Sequence, residues 1–365
     1  MNLGFDREKV KIFEETIRHL IASGKMTTGE RLMSVEELAG IFHITSSEVK
    51  RVLKRLRKDR MVVTFRGKGT YVLEAKPVKR MENTVCVITM ETETSSTRKV
   101  LRGIEDVLAA NGYNIEYRDT GNSQSKEEKI LKTMISGHAA GYIIEPSKSQ
   151  FMCRHMYLYD KMDQGNIPYV FIRTNYPQMM DKARVIVDDI QGGYLLTRHM
   201  IATVGDNIVG IFRADSKRGF ERHRGYVKAL QEAGIPYRPE LVIWYHLEER
   251  IKKPTLELEE ILNTKACDGI ICYDDAMATN IIYYLFSNGY SVPEDIAVAG
   301  YGNTAIATAG ELGLTTIAQP DELLGEIAAE YLLEKIRGES DIEHETERVL
   351  NPELVIRGST ISSGI

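Results

Sequence analysis

The chain has no long apolar run. None of its 365 residues sits in a stretch approaching the ~20 apolar residues of a membrane-spanning helix. Nor do the first thirty residues read as a secretory leader, because Asp6, Arg7, Glu8, Lys9 and Lys11 interrupt the apolar positions. Cysteine is scarce, with four residues, and Cys86 and Cys272 lie inside apolar strand-like runs where cysteine behaves as a small hydrophobe. A disulfide scaffold is excluded, and a reducing, cytoplasmic setting is expected. No Cys-x-x-Cys or His-x-x-x-His pair occurs, so no metal and no cofactor are expected. There is no Gly-x-x-x-x-Gly-Lys-Ser/Thr loop and no Gly-x-Ser-x-Gly elbow, and no nucleophile stands beside an identifiable base. No catalytic residue is therefore assigned, and an enzyme is not expected.

Charge, by contrast, is plentiful and unevenly placed. The net charge of −5 conceals a basic segment. Residues 1–80 carry 18 Lys and Arg against 10 Asp and Glu, and the remaining residues carry 29 against 42. A basic module that meets a polyanion is thus joined to an acidic module that does not. The basic residues cluster, with Lys50, Arg51, Lys54, Arg55, Arg57, Lys58 and Arg60 falling within eleven positions.

Within that segment, Val10, Phe13, Ile17, Leu20 and Ile21 recur at helical spacing over residues 7–23, and Gly24 is the expected stop. Ser34 with Glu37 and Thr45 with Glu48 form two capping-box signatures. The second opens a helix over 45–58 with an apolar stripe of Val49, Val52, Leu53 and Leu56 opposite a basic face. Residues 61–65 and 70–73 read as strands joined by a glycine-rich turn. Helix, short helix, basic helix and hairpin make a winged helix-turn-helix. Its basic helix would enter the major groove, with Ser46, Ser47, Lys50 and Arg51 near base edges. Lys54 faces the same side. The hairpin tip, Arg66, Gly67 and Lys68, would reach phosphate or the minor groove.

Residues 7–73 resemble the DNA-binding domain of the GntR family. The resemblance rests on Gly24 and Gly29, on Ser34-Val35-Glu36-Glu37-Leu38-Ala39, and on Gly67-Lys68-Gly69-Thr70-Tyr71-Val72. It implies operator DNA as partner, with Ser34 and Thr45 at the interface. The family usually opens the recognition helix with Ser-Arg-x-Thr, whereas this chain has Thr45-Ser46-Ser47-Glu48, and Met33 replaces the usual Pro. A lost Arg and an added carboxylate should weaken or redirect operator binding.

Residues 74–83, polar and carrying Pro77, read as a linker between a domain over 1–73 and one over 84–365. From Thr84 onward, apolar strand runs alternate with helical segments. Strands fall at 84–89, 115–118, 141–145 and 167–172, and helices at 97–111, 124–137 and 151–165. The pattern restarts at Asn207 and runs to a strand at 295–300. The fold class is α/β: a winged helix-turn-helix followed by a two-lobed domain of two parallel sheets, with a ligand crevice at the carboxyl ends of the strands.

The second half resembles the effector domain of LacI/GalR regulators and the periplasmic sugar-binding proteins. The matching stretches include Arg222-His223-Arg224-Gly225-Tyr226, Asp268-Gly269-Ile270-Ile271-Cys272-Tyr273-Asp274-Asp275 and Val292-Pro293-Glu294-Asp295-Ile296-Ala297-Val298. A GntR-type head on such a body resembles the arabinose-responsive repressors, as do Glu145-Pro146-Ser147-Lys148-Ser149 and Asp188-Asp189-Ile190-Gln191-Gly192-Gly193. The resemblance implies a homodimeric repressor, periplasmic-binding-protein-like in its body, that a monosaccharide releases from DNA, with L-arabinose the expected sugar. The alternatives are a different small ligand, or a head that no longer reads DNA.

A sugar presents hydroxyls that both donate and accept, so its crevice needs carboxylates, amides and guanidinium groups at strand ends. Ser96 and Thr97, in the loop after the first strand, meet that requirement, as do Lys148, Arg222, Asp274 and Gln319. Glu145, Asn175, Tyr176, Asp189 and His246 are further candidates. Asp274 equally suits the N-cap of the helix after it. Trp244, the only tryptophan, is expected in the core. Relatives carry an acid after Gly300-Tyr301 where this chain has Gly302, so Asn303 or a water would have to take its place.

Overall fold

In the structure, a computed structural model, the described residues are 3–22, 26–59, 61–65, 68–73, 83–137, 139–309, 312–339 and 346–361. Gly24, Arg66, Gly67 and all of the expected linker but Asn83 lie outside them. The chain divides into two compact units, Met1–Arg80 and Met81–Ile365.

The first unit contains α1 (Leu3–Ala22), α2 (Val35–Phe42), α3 (Ser46–Lys58) and an antiparallel hairpin of β1 (Val62–Phe65) and β2 (Gly69–Val72). Both expected capping boxes are present. Ser34 Oγ accepts the Glu37 amide at 3.2 Å while the Glu37 carboxylate accepts the Ser34 amide at 2.7 Å. Thr45 and Glu48 repeat the exchange at 3.3 and 2.9 Å. The stripe of α3 is buried as expected, and Val49, Val52, Leu53 and Leu56 pack with Phe13, Ile17, Leu38 and Val72 into one core.

In the second unit the first lobe runs through β3 (Thr84–Thr89), α4 (Ser95–Ala110), β4 (Asn114–Asp119), α5 (Gln124–Ile135), β5 (Gly141–Ile144), α6 (Met156–Gln164), β6 (Tyr169–Ile172) and β7 (Arg184–Val187). The chain then crosses to the second lobe. That lobe holds α7 (Asp189–Thr203), β8 (Ile208–Arg213), α8 (Lys217–Glu232), β9 (Val242–Tyr245), α9 (Lys253–Thr264), β10 (Gly269–Cys272), α10 (Asp275–Ser287), β11 (Ala297–Gly302) and β12 (Thr315–Ala318). It returns to the first lobe for α11 (Asp321–Arg337) and β13 (Glu347–Leu350), and ends in the second with β14 (Glu353–Val355).

The strand orders are β13-β7-β6-β5-β3-β4 and β14-β12-β11-β10-β8-β9. Every pairing is parallel except that of β12 with β14. Parallel strands need helical crossovers, and the helices cover both faces of each sheet. Accordingly β5, β6 and β10 are buried at every position. The carboxyl ends of both sheets face the crevice between the lobes, as the doubly wound topology requires.

The sequence pattern did not reveal β7 or α7. The glycines within α7 are a packing device. A Cβ at Gly193 would strike the Arg222 carbonyl of α8, and one at Gly225 would strike the Ile190 carbonyl of α7. The two backbones are in contact through reciprocal glycines, and this contact fixes the helices that carry Asp189 and Arg222.

Candidate functional site

A cavity of about 490 Å³ lies between the lobes of the second unit, within the range of small-molecule sites. The first lobe contributes Thr94, Ser95, Ser96 and Thr97 at the start of α4, Glu145 after β5 and Arg173 after β6. Arg213 at the end of β8, Arg218 and Arg222 on α8, Tyr273 to Ala276 after β10, Tyr301 and Gly302 on β11, and Gln319 after β12 form the facing wall.

Guanidinium groups dominate these walls, and buried carboxylates neutralise them. Arg173 is 5% exposed and reaches Thr97 Oγ1 at 3.1 Å, Ser96 Oγ at 2.5 Å, Glu145 Oε1 at 3.3 Å and Asp321 Oδ1 at 3.3 Å. It therefore binds the starts of α4 and α11 to the end of β5. Asp189 accepts Nε of both Arg218 and Arg222 at 2.7 Å. Burial alone would raise the Asp189 pKa, but the two guanidinium groups outweigh it and hold the carboxyl below its usual range. Arg222 donates to the Tyr273 carbonyl and lies over the Tyr301 and Tyr273 rings at 3.5 and 4.5 Å. Arg218 donates to Gln319.

Asp274 fulfils both of its readings. Its Oδ1 caps α10 by accepting the Met277 amide at 2.7 Å, and the residue lines the cavity. Burial pushes its pKa above the usual carboxylate range. Asp275, beside it, accepts from Thr304 N, Thr304 Oγ1 and Thr316 Oγ1 at 2.7, 2.9 and 2.6 Å. It thereby fixes the loop that follows β11.

Of the residues expected from sequence, Ser96, Thr97, Glu145, Arg222, Asp274 and Gln319 come together at the cavity. Ser96 and Thr97 sit in the first turn of α4 and not in a loop, because Thr94 caps that helix. Asp189 stands behind the wall and holds Arg218 and Arg222. The other expected residues lie elsewhere. Tyr176 is fully buried in the first lobe, its hydroxyl donating to Glu127 at 3.0 Å, because an apolar pocket beside Tyr159 and Phe171 surrounds its ring. Lys148 points to Glu248 of the other lobe at 3.2 Å. His246 precedes a short turn, its amide donating to Glu249. Asn175 is buried and accepts Lys217 Nζ at 2.7 Å. Asn303 does not replace the acid missing at Gly302, since its Oδ1 accepts from Arg357 at 2.7 Å. Trp244, expected in the core, is only half-buried, because it lies on the face of β9 opposite the buried Ile243 and Tyr245, where it stacks on Phe220 at 4.6 Å.

Sequence reasoning missed Arg173, Arg213, Arg218 and Asp275. For Arg218 a signal existed: it lies four residues before Arg222, so a helix places both on one face.

On the first unit, Ser47, Lys50, Arg51, Lys54 and Lys68 are exposed and Ser46 is half-buried. The Ser34 and Thr45 hydroxyls are engaged in their helix caps. Glu48 folds back on Thr45 and lies 3.8 Å from Arg51, so its charge is directed to the helix terminus and its own neighbour. Arg55 is held by Glu14 at 2.5 Å.

Comparisons with known proteins agree with this architecture. Residues 11–72 match the model of bacterial regulatory proteins of the gntR family, and residues 197–360 that of the periplasmic binding protein-like domain. The arabinose metabolism transcriptional repressor of Geobacillus stearothermophilus is 32% identical over 95% of this chain and 96% of its own length. Its counterpart from Halalkalibacterium halodurans is 28% identical over 96% of each. The solved complex of the transcriptional regulator CelR with cellobiose superimposes with a TM-score of 0.67 at 25% identity, over 86% of this chain and 90% of that one. The chain belongs to the family of transcriptional repressors, not enzymes, that join a GntR-type winged helix to a periplasmic-binding-protein-like body and include the arabinose metabolism repressors.

Proposed function

We propose that this chain is a cytoplasmic, homodimeric repressor that holds operator DNA through residues 1–73 and releases it when L-arabinose enters the cleft of residues 84–365. The relatives named for arabinose metabolism support the choice of sugar. The observation that carries the reading is the charge balance of the cleft. Arg173, Arg213, Arg218 and Arg222 each have a buried carboxylate within 3.3 Å: Glu145, Asp215 and Asp189, the last shared by two. Asp274 and Asp275 add further acid. Such a wall offers donors and acceptors together and repels a phosphate, which suits a neutral polyol.

Ser96, Thr97, Glu145, Arg222, Asp274 and Gln319 meet the hydroxyls, and the Tyr273 and Tyr301 rings hold Arg222 in place. Asp189 orients the two arginines. Lys148 and His246 act at the lobe boundary. On the DNA side, Ser46, Ser47, Lys50 and Arg51 face base edges, while Lys54, Arg66, Gly67 and Lys68 meet the backbone. For release to occur, the sugar must bind the DNA-incompetent arrangement more tightly.

The test is the melting temperature of the full chain against pentoses, hexoses and sugar phosphates. A ligand at 100 times its Kd adds about 2.7 kcal/mol to the unit it binds. L-arabinose should raise the transition and sugar phosphates should not. A shift with a phosphate alone would refute the reading.

A further inference from the structure

A second polar chain crosses between the lobes beside the cavity. Asn122, in the turn between β4 and α5, and Asp215, between β8 and α8, are 2% and 0% exposed. Asn122 Nδ2 donates to Asp215 Oδ2 at 2.8 Å, from one lobe to the other. The remaining oxygen, Oδ1, accepts Arg213 Nε at 2.7 Å. On the far side, Asn122 Oδ1 accepts the Lys148 amide at 2.7 Å, at the segment whose Ser149 Oγ accepts the Lys217 amide of the other lobe at 3.2 Å. Arg213 lines the cavity, and its Nη2 is buried without a partner. Asp215 thus fixes the guanidinium at Nε, and Nη2 on that same edge is left without an acceptor.

We propose that Asn122 and Asp215 form a latch that exists only with the lobes closed and that holds Arg213 in position to donate to the sugar. Three features support this. A buried carboxylate with a missing partner is costly, so Asp215 is satisfied on both oxygens only when Asn122 arrives. Asn122 has a φ of +55°, which Asn, Asp and Gly tolerate, so its amide is aimed by the turn itself. The Lys148 and Ser149 contacts join the latch to a second inter-lobe bridge. The latch rests on the cleft being the effector site, and Arg213 becomes a sugar-contacting residue, with Asp215 and Asn122 as positioning residues.

The decisive variant is Asn122→Asp. It keeps an acceptor for the Lys148 amide and a residue suited to positive φ, and it replaces only the donor with a carboxylate facing Asp215. Stopped-flow binding of the sugar that stabilises the wild type should show release at least about tenfold faster, with association within about twofold. Hydrogen exchange of the Lys217 amide, read in the sugar-free chain, should also accelerate. Asn122→Gly, which retains the backbone geometry, should do the same. Release within twofold of wild type, with unchanged Lys217 exchange, would overturn the latch. If the wild type binds none of the sugars, the functional reading above fails. The latch is then decided by Lys217 exchange alone, and unchanged exchange overturns it.

Discussion

Replacing Asp189 by Asn tests the organisation of the cleft wall. The Asp189 carboxylate is 2% exposed and holds Arg218 and Arg222, themselves 6% and 3% exposed, each at 2.7 Å. An amide of the same shape can accept from one Nε but presents NH2 to the other. Two guanidinium groups then remain in the wall with one neutral partner. Removing one member of a buried ion pair costs about 3–5 kcal/mol, and the retained carbonyl returns part of that, so we expect a loss of about 2–4 kcal/mol. For a unit of this size each kcal/mol lowers Tm by roughly 2–4 °C, which gives a fall of about 4–16 °C. Differential scanning calorimetry of the full chain resolves this, because the winged-helix transition serves as an internal reference. Sugar affinity should fall too, since Arg222 loses the contact that places it over Tyr273 and Tyr301. A variant melting within 1 °C of wild type would refute the view that this carboxylate supports both arginines.

Gly225→Ala should force α7 and α8 apart, because the added methyl meets the Ile190 carbonyl and lies 2.5 Å from the Tyr194 amide nitrogen. The expected loss is about 2–3 kcal/mol in urea denaturation. Lys50→Ala should weaken operator binding and, if Lys50 meets a phosphate, reduce the slope of log affinity against log salt by about 1. Burial lowers the pKa of His199 and His223 below the usual histidine value of about 6.5. Below that pH the unfolded chain binds more protons, so their contribution is fully present above about 6.5 and is lost as pH falls. The melting temperature of the second unit should decline from pH 7 to 5.5, and a rise would contradict this.

Where one local rule decided the structure, the sequence was informative. The α3 stripe, the two capping boxes and the alternation of apolar strands with helices were all visible, because each depends on neighbours a few residues away. The body of the cleft was harder to read. Arg173 and Asp321 meet only after the chain has crossed to the second lobe and returned, and no local pattern reports that. Tyr176 and Lys148 follow strand ends as Glu145 and Asp274 do, yet they turn into the first lobe and to Glu248, because side-chain direction past a strand end is a tertiary matter. The glycines of α7 bring α8 close, a tertiary role that no local pattern reports. The capping role read for Glu48 is borne out, and the same bond turns its carboxylate back onto Thr45.

The most direct test uses a labelled DNA duplex selected by the full chain from a random pool. Fluorescence anisotropy follows its release as L-arabinose is added, for wild type and for Arg222→Ala. The sugar should free the DNA from the wild type, while Arg222→Ala should hold the same DNA with unchanged affinity and retain it at sugar concentrations that empty the wild type. Release of both proteins at the same sugar concentration would contradict the assignment of the cleft.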